Sequence, residues 1–275
     1  MRASDDDGYL MGHSAAEARR LRLQAELYAP HTEHLFRLAG IGPGMSVADV
    51  GCGPGDVTAL IARMVGPAGF VTGIDMDPAM LRAAARDTAA AGLGNVAFRE
   101  AVLPCVPVEQ PVDALVGRLI LMHLDDPAAA VRQLARHVRP GGIICFQDVA
   151  ITATRTVPPL PLAGQCVDWL KAAFRVGGRE PDFGERLPAI LRAAGFPAPQ
   201  VAAAVPAGGA DSLNYAHLAA GVAVLLPLIE ASGVARRCDV AVDTLLPRLQ
   251  AEARAAAGTL YSAELIGAWV RVPPG

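Results

Sequence analysis

Lysine is almost absent from this chain: Lys171 is the only one, and arginine supplies the rest of its basic side chains. Charged residues make up only 19% of the 275 positions, and the formal net charge is −3. No basic run is present, so nothing in the charge pattern recruits nucleic acid, whose phosphates would repel a mildly acidic surface. The five cysteines, Cys52, Cys105, Cys145, Cys166 and Cys238, are odd in number and widely spaced, with no CxxC pair. That excludes a disulfide framework and argues against a metal site. The most apolar stretch, 218–229, falls short of the roughly 20 residues that span a bilayer, and Pro227 interrupts it. The acidic N-terminal stretch lacks the apolar core of a signal peptide, so the expected location is the reducing cytoplasm, without a membrane partner.

Hydrophobic residues reach 52%, too many for disorder and enough for one large α/β domain with appendages. Helical spacing of Leu21, Leu23 and Leu27 predicts a helix over 17–27, and a second follows Pro30 over 32–39. From residue 46 the rhythm becomes strand–helix–strand. Short apolar runs at 46–50, 70–74, 95–101, 112–121 and 143–147 read as strands, with 139–142 as a turn before the fifth. Asp56, Asp77 and Asp126 stand where helix caps belong, the last two before proline. Such alternation implies parallel βαβ units. Beyond Val149 the pattern loosens into helices at 162–175, 184–194 and 211–257, the last broken near Pro227, Gly233 and Pro247, with strands at 200–205 and 266–272. The chain divides into an N-terminal helical lid segment (1–40), a ligand-binding core (41–150), and a remainder (151–275) with insertions at about 155–180 and 208–257.

The segment Asp49-Val50-Gly51-Cys52-Gly53-Pro54-Gly55 joins a strand to a helix. A tight turn at the carboxyl end of a parallel strand needs residues without Cβ, so that backbone can approach a ligand. The next helix adds its N–H groups and positive dipole end. A dinucleotide loop reads GxGxxG, whereas this one reads GxGxG followed by Asp56, an unwelcome charge beside a pyrophosphate. A zwitterionic amino-acid tail with a sulfonium centre tolerates it, and Asp49 can meet a cationic amino group. Asp75, roughly 20 residues beyond the loop, can accept hydrogen bonds from two ribose hydroxyls, and Met76 offers an apolar surface to an adenine face.

These residues resemble the first two motifs of class I S-adenosylmethionine-dependent methyltransferases. The stretch VGRLILMHLDDPAAAVRQLARHVRPGGIICFQD is similar to that family's later motifs. The likeness is good over 45–148 and weaker at GERLPAILRAAGF and around Trp269. It implies a Rossmann-like class I methyltransferase fold: a mostly parallel seven-stranded sheet with helices on both faces and helical lid insertions. It implies S-adenosyl-L-methionine as cofactor, with Asp49, Gly51, Cys52, Gly53 and Gly55 at the methionyl part, Asp75 on the ribose and Met76 against the adenine. Arg99-Glu100-Ala101 stands where the family carries Gly-Asp-Ala, which places Glu100 or Ala101 near the adenine amino group. The N-terminal segment resembles one in which Arg20 and Gln24 approach the methionyl tail.

Methyl transfer is an in-line displacement in which the protein aligns a nucleophile and excludes water. A base is needed only for a protonated nucleophile. The ends of strands four and five supply Arg118, His123 and Asp148. His123 reads equally as a base or as a packed helix-end residue. Asp148 is a second acid or a strand end. Arg118 holds an acidic ligand group or pairs with Glu100 or Asp148. Tyr28 offers a hydroxyl, though a tyrosine of this kind often only packs. Tyr9, His13, Tyr215, His217 and Trp169 are substrate-side candidates on the lid and insertions. The insertions are rich in Ala, Leu and Val, which favours an apolar or aromatic small acceptor of specialised bacterial metabolism (a phenol, an indole or peptide-derived ring, or a polyketide). An apolar insertion helix could also serve a homodimer. Rival readings are an NAD-dependent oxidoreductase, a cofactor-retaining enzyme that catalyses a non-methylating reaction such as cyclisation, and a non-catalytic module of the same fold.

Overall fold

The computed structural model describes residues 15–107 and 110–274. The chain begins with α1 (Ala15–Ala39), then β1 (Ser46–Val50), α2 (Asp56–Val65), β2 (Phe70–Asp75), α3 (Pro78–Ala90), β3 (Val96–Glu100), β4 (Val112–Arg118), α4 (Pro127–Leu134) and β5 (Val138–Ala150). It continues through β6 (Arg155–Val157), α5 (Pro161–Val176), α6 (Leu187–Ala193), β7 (Gln200–Ala204), β8 (Ala207–Gly208), α7 (Leu213–Val224), α8 (Leu226–Ala231), α9 (Arg237–Val240), α10 (Val242–Ala255), β9 (Thr259–Tyr261) and β10 (Glu264–Arg271).

The described residues form two compact units. Among the described residues, one gathers 29–107, 110–149, 183–204 and 265–274; the other gathers 15–28, 150–182 and 205–264. The first unit is built on a seven-stranded sheet in the order β3-β2-β1-β4-β5-β10-β7. The pairs β1–β2, β2–β3, β1–β4 and β4–β5 are parallel, and β10 runs antiparallel to β7. Strand order reverses between β1 and β4, so the carboxyl ends of these two strands open a crevice for a ligand. The core beneath it includes Phe36, Val47, Ile61, Val71, Val116 and Ile143. The helices α3 and α4 start as expected. Asp77 Oδ1 accepts from Ala79 N–H at 2.7 Å, and Asp126 Oδ1 accepts from Ala129 N–H at 2.9 Å, each before a proline in the first turn.

Four expectations give way. Asp56 is the first residue of α2, not its cap; Gly55 in left-handed backbone takes that place without a side-chain cap. Pro30 does not divide the N-terminal helix. The buried stripe Glu17, Arg20, Gln24, Tyr28, Thr32, Leu35, Phe36 and Ala39 passes along one face, and Pro30 sits on the exposed side. The expected turn at 139–142 lies inside β5, where the Gly141 N–H donates to the Val272 carbonyl at 2.9 Å. Pro247 sits within α10 without ending it.

The second unit is mainly helical, with α5, α7 and α10 in mutual contact and a small sheet ordered β6-β9-β8. That sheet escapes the sequence because its strands have only two or three residues each. Among the described residues, no helix is long and apolar enough to cross a membrane.

Ile61 is fully buried on α2 beneath the parallel strands. Replacing it with alanine should lower unfolding free energy by about 2–5 kcal/mol through lost transfer energy and a cavity. Val201→Ala, at a 48% exposed site, should change it by under ~0.5 kcal/mol; urea titration of both variants checks the contrast.

Candidate active site

The turn after β1 is held by backbone to the neighbouring strand. Gly51 and Cys52 N–H both donate to the Ile74 carbonyl, at 2.8 and 3.0 Å, and Gly55 N–H donates to the Cys52 carbonyl at 3.0 Å. Gly51, Gly53 and Gly55 all take positive φ (68°, 51° and 84°), which other residues enter only with strain. Their surroundings differ. A Cβ on Gly51 would lie 2.4 Å from the Ile120 side chain, and one on Gly55 would lie 2.7 Å from Ala84 Cβ. A Cβ on Gly53 would enter open space, so Gly53 alone presents bare backbone outward. Cys52 contributes backbone rather than thiol chemistry, because burial drives its thiol far above the ordinary range.

Asp75 is half-buried and fastens the turn from β2. Its Oδ2 accepts from Gly53 N–H at 2.8 Å and its Oδ1 from Asp77 N–H at 3.0 Å. A carboxylate oxygen accepts more than one hydrogen bond, so both oxygens retain acceptor capacity. Met76 follows at 48% exposure, an apolar surface beside that carboxylate. Glu100 pairs in register with Asp75 across β2–β3 and is exposed, and Ala101 N–H donates to the Asp75 carbonyl at 3.0 Å. These residues share one edge of the sheet.

Asp49 lies beneath the turn, 1% exposed, with Thr58 Oγ1–H donating to its Oδ2 at 2.6 Å. Burial pushes its carboxyl up to about 7; the Thr58 hydrogen bond and the positive charge of Arg118 pull the other way. Arg118 ends β4, and its Nη1–H donates to Thr32 Oγ1 at 3.1 Å. Leu119 follows in left-handed backbone (φ 58°), its N–H donating to the Gln147 carbonyl at 2.8 Å. That conformation costs a leucine about 1–2 kcal/mol, strain of a kind that clusters at ligand sites. His123 lies at the next 3-10 turn and lines an open groove of about 570 Å³ with Leu103, Pro104, Asp126, Arg132 and Arg136. Asp148 is 1% exposed near the end of β5; its Oδ1 accepts from Val149 N–H at 2.9 Å, and burial pushes its carboxyl up to about 7.

A methyltransferase-domain family model matches residues 41–175. The nocamycin O-methyltransferase of Saccharothrix syringae is 34% identical over 154 residues, covering 55% of this chain and 51% of that protein. A ubiquinone biosynthesis O-methyltransferase of Paracidovorax citrulli is 32% identical over 154 residues, covering 54% and 63%. The chain thus spans about half to three-fifths of the length of these curated relatives. Among solved structures, the YcgJ protein of Bacillus subtilis superposes with a TM-score of 0.55 at 18% identity, over 89% of this chain and 99% of that one. The [4+2]-cyclase SpnF superposes with a TM-score of 0.53 at 22% identity, over 90% and 82%. Both share the fold described above. Residues 41–175 belong to that methyltransferase-domain family. S-adenosylmethionine is the cofactor that this domain implies.

Within the helical unit, Arg20 is clamped by Glu17 through two 2.7 Å hydrogen bonds and donates to Gln24 Oε1 at 2.7 Å. Tyr28 is 1% exposed; its hydroxyl donates to the Ala263 carbonyl at 2.9 Å and its ring meets His217 edge-on at 6.0 Å. His217 Nε2 is buried without a hydrogen-bond partner, and burial with the neighbouring Arg20 charge lowers the imidazole to about 3. Tyr215 is fully buried with an unpartnered hydroxyl, and Trp169 is buried on α5. Tyr9 and His13 lie outside the described residues.

Sequence reading missed Thr58, Thr32 and Gln147. Thr58 had a usable signal: a hydroxyl in the first turn after a glycine loop can turn back to an acid that precedes it. Thr32 and Gln147 had none, because 115 residues separate them; Gln147 Nε2–H donates to the Thr32 carbonyl at 3.3 Å only after β5 docks.

The raised Asp148 carboxyl ties stability to pH. Between the unstructured value of 3.8 and the folded value of about 7, the unfolded chain releases a proton that the native chain retains. Stability attributable to this group therefore falls as pH rises through that window and levels off above it. Asp148→Asn should remove this contribution to the slope. Its stability relative to the parent should grow on the order of a few kcal/mol from pH ~4 to ~8, read by urea unfolding at both pH values.

Proposed function

We propose that this chain transfers a methyl group from S-adenosylmethionine to a small, largely apolar or aromatic molecule of bacterial specialised metabolism. The observation that carries the reading is the arrangement of Asp49, the glycine turn and Asp75 in one unit, at the point where strand order reverses. The donor set fits a sulfonium nucleoside. Gly53 offers a backbone position that a Cβ would fill, Asp75 retains acceptor capacity for ribose hydroxyls, and Met76 presents an exposed apolar side chain for the adenine. Asp49 supplies a buried acid toward which an ammonium group is drawn, and Arg118 supplies a cation for a carboxylate. Gln24, Glu100 and Ala101 are secondary candidates for cofactor contact. When bound, S-adenosylmethionine supplies an electrophilic methyl carbon; the protein's task is alignment and exclusion of water.

The relatives' names support a small acceptor: one is named for nocamycin and one for ubiquinone biosynthesis. On the chain itself, support comes from an α5–α7–α10 unit with a largely apolar interior, in which Trp169, Tyr215 and His217 are substrate-side candidates. Tyr28 is assigned an anchoring role, since its hydroxyl is engaged by Ala263. His123, the candidate base on the sequence, lines the groove along α4.

Calorimetry with S-adenosylmethionine and with NAD separates this reading from an oxidoreductase, and S-adenosylhomocysteine release separates it from a non-methylating enzyme. Binding of the sulfonium nucleoside and not of NAD is expected. Asp75→Ala should weaken that binding at least ~10-fold, through two lost ribose hydrogen bonds and a loosened turn. Unchanged affinity would remove the basis of the assignment.

A further inference from the structure

Two consecutive residues near the carboxyl end of β5 each carry a buried acceptor atom with no hydrogen-bond partner: Gln147 Oε1 and Asp148 Oδ2. Chemistry settles the orientation of the Gln147 amide. Its nitrogen must face the Thr32 carbonyl, which can only accept, so the oxygen is the end left over. Alternation along a strand sends the two side chains to opposite faces. Gln147 takes the face of Thr32, with Arg118 as its register partner on β4; Asp148 takes the other.

Asp148 is the more telling of the two. A carboxyl group 1% exposed, satisfied at one oxygen by a single backbone N–H, is expensive to keep in a folded interior. Burial is the dominant influence on its carboxyl, opposed by the Val149 N–H. On the opposite face Arg118 is engaged with Thr32 and Asp49, and Asp49 is held by Thr58; Glu185 and Arg186 extend into solvent from the turn that approaches from 183–186. That turn closes because Gly184 has no side chain; a Cβ there would lie 2.7 Å from the Asp148 carbonyl oxygen. The result is a water-excluded acid near the carboxyl end of the strand that neighbours β4, in the same unit as the glycine turn. Its charged form is disfavoured by burial alone, which places its proton exchange near neutrality, where a general base is most effective.

We propose that Asp148 is a catalytic residue of the methyl transfer: its Oδ2 receives the proton of an O–H or N–H nucleophile on the acceptor. The inference rests on the methyltransferase reading above and narrows it to protonated heteroatom acceptors, phenolic or amine. A lone pair of the nucleophile forms the bond to the methyl carbon, and the carbon–sulfur pair departs with sulfur. The nucleophile's proton passes to Asp148, leaving the carboxyl neutral. The positive sulfonium and the negative carboxylate disappear together, which a low-dielectric site favours. The proton then leaves to solvent.

The test uses the full chain and its Asp148→Asn variant, with phenol, catechol and tyramine as acceptors, S-adenosylhomocysteine release as the rate, and calorimetry for S-adenosylmethionine. The parent should methylate at least one acceptor, with kcat/KM rising with pH through about 7. The variant should bind S-adenosylmethionine within about twofold of the parent, lose about 10²–10⁴-fold in kcat and lose that pH dependence. A variant within threefold of the parent's kcat overturns the inference and leaves the methyltransferase reading intact. So does a parent that binds S-adenosylmethionine but methylates none of the three acceptors. A parent that does not bind S-adenosylmethionine sinks the reading itself, and the inference with it. Should the variant fail to fold, aspartate 13Cγ spectra of the parent bound to S-adenosylhomocysteine decide the matter. A carboxyl that titrates near neutrality and moves on adding catechol supports the proposal; the absence of any such response overturns it.

Discussion

The chain must leave β1 and enter α2 within five residues without covering the carboxyl edge of the sheet. Gly51, Gly53 and Gly55 allow this by adopting left-handed backbone, and Ile120 seats itself where a side chain on Gly51 or Gly117 would stand. The turn does not hold its shape alone. Asp75 accepts the Gly53 N–H, so the acid assigned to the ribose also folds the backbone assigned to the methionyl tail. In the proposed reading, loop geometry and ligand affinity meet at that one carboxylate.

Two carboxyls beneath that edge are equally buried and differently partnered. Asp49 has the Thr58 hydroxyl and the charge of Arg118, both of which favour its ionised form against burial. Asp148 has one backbone N–H. Desolvation raises both to about 7, yet only the first has groups that favour its ionised form other than a single amide. In the proposed reading the two do different work: Asp49 faces an ammonium group, whereas Asp148 exchanges a proton.

The helical unit carries a different kind of polarity. Its buried stripe on α1 begins with Glu17, Arg20 and Gln24, a self-satisfied cluster, and α7 adds Tyr215 and His217 with unpartnered atoms. Unpartnered buried donors and acceptors in a mostly apolar interior are places where a ligand or ordered water completes the hydrogen bonding. The family model ends at residue 175, before α7 and α10.

What the amino-acid sequence determined unaided is the order of strands and helices from β1 to α4, the proline-flanked caps Asp77 and Asp126, and the glycine turn with its two acids. All of these are local: each depends on residues within a few positions of one another, or on a repeated strand-to-acid spacing. Only the tertiary structure decided that α1 runs unbroken past Pro30, because its buried stripe begins with charged and amide side chains rather than leucines. Only the tertiary structure joined Gln147 to Thr32, Tyr28 to Ala263 and Arg118 to Thr32, since those partners are far apart in the chain and meet only when strands and helix dock. The partner of Asp49 and the isolation of Asp148 are likewise properties of packing. A sequence states that a carboxyl exists, and the surrounding dielectric and donors, which long-range folding supplies, settle what that carboxyl can do.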